Sequence, residues 1–84
     1  MPRYFLHIRD RDGFTEDVEG AEFDGLAQAV AAAIVGARDI LAEQIEEGRP
    51  LDGDRIEIFD AAGDLVETVK FADIVEIKPS FRQY

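Results

Sequence analysis

The feature that most constrains the fold is a proline-free, alanine-rich stretch from Gly25 to Glu47 in a chain of only 84 residues. Alanine has the highest helix propensity, and Gly48 followed by Pro50 is a typical helix end. The carboxylate of Asp24 stands where it can cap the first free amides of such a helix. We therefore predict a single long helix from about Asp24 to Glu47.

The faces of this helix follow from a rotation of about 100° per residue. One arc carries most of the large apolar side chains and is predicted to be buried, and it comprises Leu26, Val30, Ala33, Ile34, Ala37, Leu41 and Ile45. Beside it lies a flank of small residues, which would let another backbone approach closely, namely Gly25, Ala29, Ala32 and Gly36. This flank either meets the domain's own sheet or belongs to an interface with a second subunit.

The helix is longer than the strands that the sequence predicts around it. Twenty-three helical residues span roughly 34 Å, whereas a six-residue strand spans roughly 20 Å. One end of the helix should therefore overhang the sheet. Val35 and the turn near Ile40 are then candidates for burial by a second subunit.

Alternating apolar residues on both sides of the helix predict two β-hairpins. Before the helix, a strand over residues 4–9 points Tyr4, Leu6 and Ile8 to the core, and Asp12-Gly13 is a turn signal before a returning strand over 14–17. After the helix, residues 55–59 form a strand with Ile56 and Ile58 inward, and residues 65–70 return. The order β-β-α-β-β predicts an α+β fold, with an antiparallel sheet of about four strands packed on one long helix.

The end of the chain is harder to interpret. Residues 71–77 contain β-branched side chains that favour a strand, but Phe71, Ile74 and Val75 also fit one helical face, and both possibilities stay open. Residues 78–84 carry two positive charges, no acidic side chain and one proline. We predict a single domain over residues 1–77 and a tail over 78–84.

Charge and composition exclude several classes of function. Nineteen acidic against nine basic residues give a formal net charge of −10, which opposes binding to nucleic acid and to anionic membranes and favours a basic protein partner. The absence of cysteine excludes disulfides and thiolate metal sites. No export signal and no long apolar run is visible, so we expect a cytoplasmic protein without a membrane segment.

The best candidate for a binding surface is the sheet face that points away from the helix. It should carry six residues with aromatic or charged side chains: Phe5, His7, Arg9, Arg55, Glu57 and Phe59. Aromatic and guanidinium groups can stack on a planar ligand, and an imidazole can bind a metal or move a proton. Alternatively, the aromatic rings pack across strands or in a dimer, and His7 makes a structural hydrogen bond.

The sequence contains no recognisable catalytic constellation. It has no nucleophile with a base and an orienting group, no complete metal-ligand set and no phosphate-binding loop. A partial match to a calcium loop around Asp10, Gly13 and Glu19 fails, because Ile8 occupies the first ligand position. We therefore predict no catalytic residue, no metal and no cofactor, and we expect that the protein is not an enzyme.

Five segments together resemble a known family. They are MPRYF-x-H-x-RD at residues 1–10, DVEG at 17–20, GRPLDG at 48–53, IEI-x-D-x-x-G at 56–63 and TVKFAD at 68–73. This pattern is similar to that of a domain-of-unknown-function family of short bacterial proteins. The resemblance implies a small cytoplasmic protein, and it transfers no catalytic residue because the family has no established activity.

These observations favour a small noncatalytic protein-interaction module that forms a homodimer. Two alternatives stay open. The first is a small-ligand or metal-binding protein that uses the sheet face with His7 and Arg9, and the second is an acidic protein that binds a basic protein partner.

Overall fold

The two hairpins and the helix take the order that the hydrophobic pattern predicts. A computed structural model of the protein describes residues 1–11, 13–48 and 53–74. Its elements are β1 (Arg3–Asp10), β2 (Gly13–Thr15), β3 (Ala21–Glu22), α1 (Leu26–Glu47), β4 (Arg55–Asp60), β5 (Leu65–Lys70) and α2 (Phe71–Ile74). The predicted α+β fold is confirmed. Asp12, the loop residues 49–52, residues 75–77 and the predicted tail 78–84 lie outside the described residues.

The sheet is antiparallel, and its strands lie in the order β2-β1-β4-β5. The short strand β3 also pairs with β1, further along the edge that β2 occupies, and the sequence did not reveal it. In the pairing of β1 with β4, Leu6 lies opposite Ile58 and Ile8 opposite Ile56. Because side chains alternate between the faces of a sheet, this register places these four apolar residues on one face, as predicted.

Helix α1 packs on that face with small side chains. The core consists of Ala29, Ala33, Ala37, Leu41, Ile56, Ile58, Val69 and Phe71, each at most 8% exposed. Tyr4, Leu6 and Ile8 pack against this core. Three fully buried alanines bring the helix backbone close to the sheet, so a larger side chain at any of them would meet closely packed neighbours.

The buried arc of α1 differs from the predicted one at its carboxyl end. Ile45 is 70% exposed, whereas Gln44 is only 3% exposed. The prediction for Ile45 is therefore wrong. Ile40 packs against the core, and Val35 is 57% exposed. Of these two candidates for burial by a second subunit, Val35 thus remains the one with a free surface.

Helix α1 ends at its carboxyl terminus as predicted, but it is not capped at its amino terminus as predicted. At the carboxyl end, Gly48 adopts φ 71° and its N–H donates to the carbonyl groups of Gln44 and Ile45, which is the predicted glycine stop. At the amino end, the capping residue is Gly25, in an extended conformation and without a side-chain cap. The predicted capping role of Asp24 is therefore wrong.

The first part of the ambiguous segment is helical, since Phe71–Ile74 form α2. Phe71 is 1% exposed, and its N–H donates to the carbonyl oxygen of Asp54 at 3.0 Å. This contact ties the end of β5 to the beginning of β4. Within the described ranges, no helix combines the length and the apolarity needed to cross a membrane.

Candidate functional site

The six residues predicted for the outer sheet face come together on it. Register places them in three cross-strand pairs, Phe5 with Phe59, His7 with Glu57 and Arg9 with Arg55. The same register adds Phe14 beside Arg9, Lys70 beside Arg55, Thr68 beside Glu57 and Leu65 beside Phe59. We call these ten residues the open face, because each keeps part of its surface exposed and they lie opposite the face that packs on α1.

One row of the open face carries three cations across three strands, Arg9, Arg55 and Lys70. Adjacent like charges repel, and Glu57 offsets this repulsion. Its Oε1 accepts from Nε of Arg9 at 3.2 Å, and its Oε2 accepts from Nε of Arg55 at 3.0 Å. We call the row of Arg9, Arg55 and Lys70 the cation row; Glu57 lies beside it and does not belong to it.

The two arginines also determine the ionisation of Glu57. Burial of the carboxyl group raises its pKa, but the hydrogen bonds from Arg55 and Arg9 and their positive charges outweigh burial, so the pKa lies below its ordinary value of 4.5. Glu57 is therefore a carboxylate at neutral pH. Its role is to hold two guanidinium groups side by side.

An aromatic cluster adjoins the cation row. The ring of His7 lies 5.1 Å from that of Phe59 and 5.3 Å from that of Phe14, and Phe5 stacks at 6.4 Å. The guanidinium carbon of Arg9 lies 4.5 Å from the centroid of the Phe14 ring, a cation–π distance. Phe14 is 46% exposed, so this cluster is open to solvent on one side.

A structural hydrogen bond restricts the chemistry of His7. Its Nδ1 accepts the backbone N–H of Asp17 at 2.9 Å, so the neutral imidazole carries its proton on Nε2. This leaves Nε2 as the only nitrogen for another contact. No group of three histidine or acidic side chains that could hold a metal ion occurs in the described part of the chain.

Asp17 is the main structural residue that sequence reasoning missed. Its Oδ2 accepts the backbone N–H of Leu6 at 3.0 Å, and its Oδ1 accepts that of Gly20 at 3.1 Å. It therefore satisfies the edge of β1 in the gap between β2 and β3. The sequence predicted that the second strand continues to Asp17, but β2 ends at Thr15. The side chain of Asp17, not a further backbone pairing, binds the edge of β1 at this point.

The glycine that follows is fixed by the same segment. Gly20 has φ +68°, and a Cβ there would lie 2.7 Å from the carbonyl oxygen of Tyr4 and 2.8 Å from the ring of Phe5. Only glycine fits both the conformation and the space. The DVEG segment at 17–20 thus contacts two residues of the open face: Gly20 lies close to the ring of Phe5, and the backbone N–H of Asp17 binds His7.

The helix flank of small residues is only partly exposed. Ala29 is fully buried in the domain's own core, which is the first of the two alternatives for this flank. Gly25 is the helix cap, and Ala32 and Gly36 are half-buried. At Gly36 a Cβ would meet no atom of the described part of the chain within 4 Å, so no close backbone approach from that part requires glycine there.

Phe14 and Lys70 were missed as members of the open face, although a signal for Phe14 exists. A short turn after Asp10 places Phe14 opposite Arg9, whereas counting from the second turn places Val69, not Lys70, opposite Arg55. The β-bulge at Ile58 and Phe59 shifts the second register, which counting alone does not reveal.

Comparison with known proteins identifies a family but no activity. Neither the curated proteins nor the solved structures contain a significant match. The family model described as domain of unknown function DUF6894 matches residues 3–72, which include all ten residues of the open face. The chain therefore belongs to the DUF6894 family.

Proposed function

We propose that this protein is a noncatalytic interaction module that forms a homodimer through its open face. The observation that supports this proposal is the partly exposed aromatic cluster beside the cation row, on the sheet face opposite α1. Aromatic and arginine side chains are the residues most enriched in protein interfaces. The occupant that we propose is a second copy of the chain.

Self-complementarity is the argument for a second copy. Along the strands, the cation row lies at one end of the open face and Phe5, Phe59 and Leu65 lie at the other. A two-fold axis that runs across the strands places the cation row of one copy over the apolar row of its partner. The arginines of each copy then stack on the phenylalanines of the other, and the two cation rows stay apart.

The size of the open face sets the expected strength of the dimer. Four strands about 4.8 Å apart and about six residues long give a footprint of roughly 400 Å². A standard interface buries about 800 Å² per partner, so this dimer lies at the small end. We expect dissociation on dilution, with a Kd in roughly the micromolar range.

Salt distinguishes this dimer from binding to a basic partner. Two chains that each carry a net charge of −10 repel one another, and added salt screens that repulsion. Self-association should therefore strengthen between low and moderate salt. A complex of the acidic chain with a basic protein would weaken over the same range.

The test is light scattering after size-exclusion chromatography over a broad concentration range. Phe14→Asp introduces a charge into the open face and should give a monomer. Val35→Asp makes the same change on the outer face of α1, where the side chain is similarly exposed, and should leave the dimer intact. A monomer at every concentration, or equal effects of the two substitutions, would reject the proposal.

An anionic ligand on the cation row is a second candidate. Glu57 occupies only Nε of Arg9, and among the described residues the terminal nitrogens of Arg9 have no hydrogen-bond partner. Such nitrogens suit a carboxylate or phosphate. Calorimetric titration with inorganic phosphate tests this candidate. Arg9→Gln should abolish the heat of phosphate binding, and the control Arg38→Gln, on α1, should preserve it.

A further inference from the structure

A second candidate site lies at the end of the sheet, away from the aromatic cluster. Gln44, near the end of α1, is 3% exposed, and Asp54, just before β4, is 5% exposed. Nε2 of Gln44 donates to Oδ2 of Asp54 at 2.6 Å. The described core thus contains one buried polar pair, formed by an amide and a carboxyl group.

This pair leaves two acceptors unsatisfied. Oε1 of Gln44 and Oδ1 of Asp54 are both buried, and neither has a hydrogen-bond partner among the residues that the structure describes. Buried polar atoms in native proteins nearly always find a partner. Because both atoms accept hydrogen bonds, the missing group must be a donor, and the carboxyl group favours a donor with a positive charge.

A cavity of about 270 Å³ adjoins Asp54 of this pair, and it is lined by Gly53, Asp54, Arg55, Lys70, Phe71 and Ala72. At roughly 30 Å³ per water in the liquid, its volume equals that of about nine waters, far more than one bridging water needs. It lies just below the range of about 300–1,000 Å³ that is typical of ligand pockets. A small organic molecule fits it.

Two cations line the same cavity. Nη1 of Arg55 donates to the carbonyl oxygen of Gly53 at 3.2 Å, and its Nε binds Glu57. Lys70 makes no ion pair with any residue that the structure describes. A ligand with only a positive charge would be repelled by Lys70, so a carboxylate elsewhere in the ligand is needed to compensate.

We infer that this cavity binds a small zwitterion, an amino acid or an ω-amino acid, through Asp54 and Lys70. The ammonium group donates to Oδ1 of Asp54, whose Oδ2 already accepts from Gln44. The carboxylate pairs with Lys70. Phe71 and Ala72 contact the carbon chain between the two charges. This site shares Arg55 and Lys70 with the open face, whereas Asp54 and Ala72 lie outside that face, and the inference does not rest on the proposed dimer.

The test is an NMR titration of the ¹⁵N-labelled full chain with glycine, β-alanine, γ-aminobutyrate and ε-aminocaproate. Methylammonium and acetate are the single-charge controls. One of the zwitterions should shift the amides of residues 53–55 and 70–72 at lower concentration than either control. If no zwitterion shifts these amides at tens of millimolar, or if acetate alone is as effective, the inference is wrong.

Variants separate ligand binding from folding. Ala72→Leu fills the cavity from an exposed position and should abolish the shifts, whereas Ala62→Leu in the β4–β5 turn should preserve them. Lys70→Gln should weaken zwitterion binding about fivefold, as expected for loss of one exposed ion pair, and should not weaken methylammonium binding. Unchanged binding in Ala72→Leu would place the ligand elsewhere and overturn the assignment.

Discussion

Replacing Asp17 with alanine should lower the free energy of unfolding by about 2 kcal/mol. The substitution removes the acceptors of two backbone N–H groups, those of Leu6 and Gly20. A hydrogen bond to a charged group contributes about 1.5–3 kcal/mol when buried. Because both bonds are only partly buried, we take about 1 kcal/mol for each, which is the typical value for an ordinary hydrogen bond and lies below the range for buried charged groups.

The assay is urea unfolding followed by far-UV circular dichroism, with thermal unfolding as a second measure. For a domain of this size, about 2 kcal/mol corresponds to a fall in Tm of roughly 8–16 °C. Asp17→Asn keeps one carbonyl acceptor and should cost about half as much. Glu16→Ala removes an equal charge from an exposed neighbour and is the matched control. Equal stability of Asp17→Ala and Glu16→Ala would refute the role assigned to Asp17.

Three further predictions concern packing, backbone conformation and pH. Gly20→Ala should lower the free energy of unfolding by at least about 3 kcal/mol, and Gly63→Ala should lower it by about 1 kcal/mol. Both glycines have positive φ, but a Cβ at Gly20 would also clash with Tyr4 and Phe5. Ala33→Leu should lower the free energy of unfolding by about 1–3 kcal/mol because it overpacks the core, whereas Ala31→Leu on the exposed side should be nearly neutral. Chemical denaturation of the glycine variants and of the alanine variants measures these differences. Glu57→Gln should cost about 1–2 kcal/mol at pH 7. Since the folded pKa of Glu57 is below 4.5, its contribution is complete above that pH and is lost as pH falls through the folded pKa, so wild type and Glu57→Gln should converge in acid-unfolding curves.

Alternation of side chains along the strands was sufficient to predict the two sheet faces. Phe5, His7 and Arg9 share one face, and Ile56 and Ile58 share the other, because a period of two is a property of any extended chain. The glycine stop at Gly48 was predictable for a similar reason. Local backbone geometry determines all of these features.

One feature that sequence analysis missed depends on contacts between distant segments. Asp17 acts through the edge of β1, eleven residues from Leu6 in the chain, and no local pattern marks it. The exchange of Ile45 for Gln44 follows instead from helix geometry, because at 100° per residue Gln44 lies about 20° from Ala33 and Ala37 and Ile45 lies about 80–120° from them. Hydrophobicity ranks Ile45 first for burial, but Gln44 occupies the buried face, where Asp54 offers it a hydrogen-bond partner.

The most direct test of the proposed homodimer is an isotope-filtered NOE experiment on an equal mixture of ¹³C-labelled and unlabelled chains. The two-fold arrangement predicts intermolecular NOEs from the side chains of Arg9 and Arg55 to the rings of Phe5 and Phe59. These contacts should vanish in Phe14→Asp. Intermolecular NOEs that involve only α1, such as those from Val35, or a dimer without any contact across the open face, would contradict the proposal.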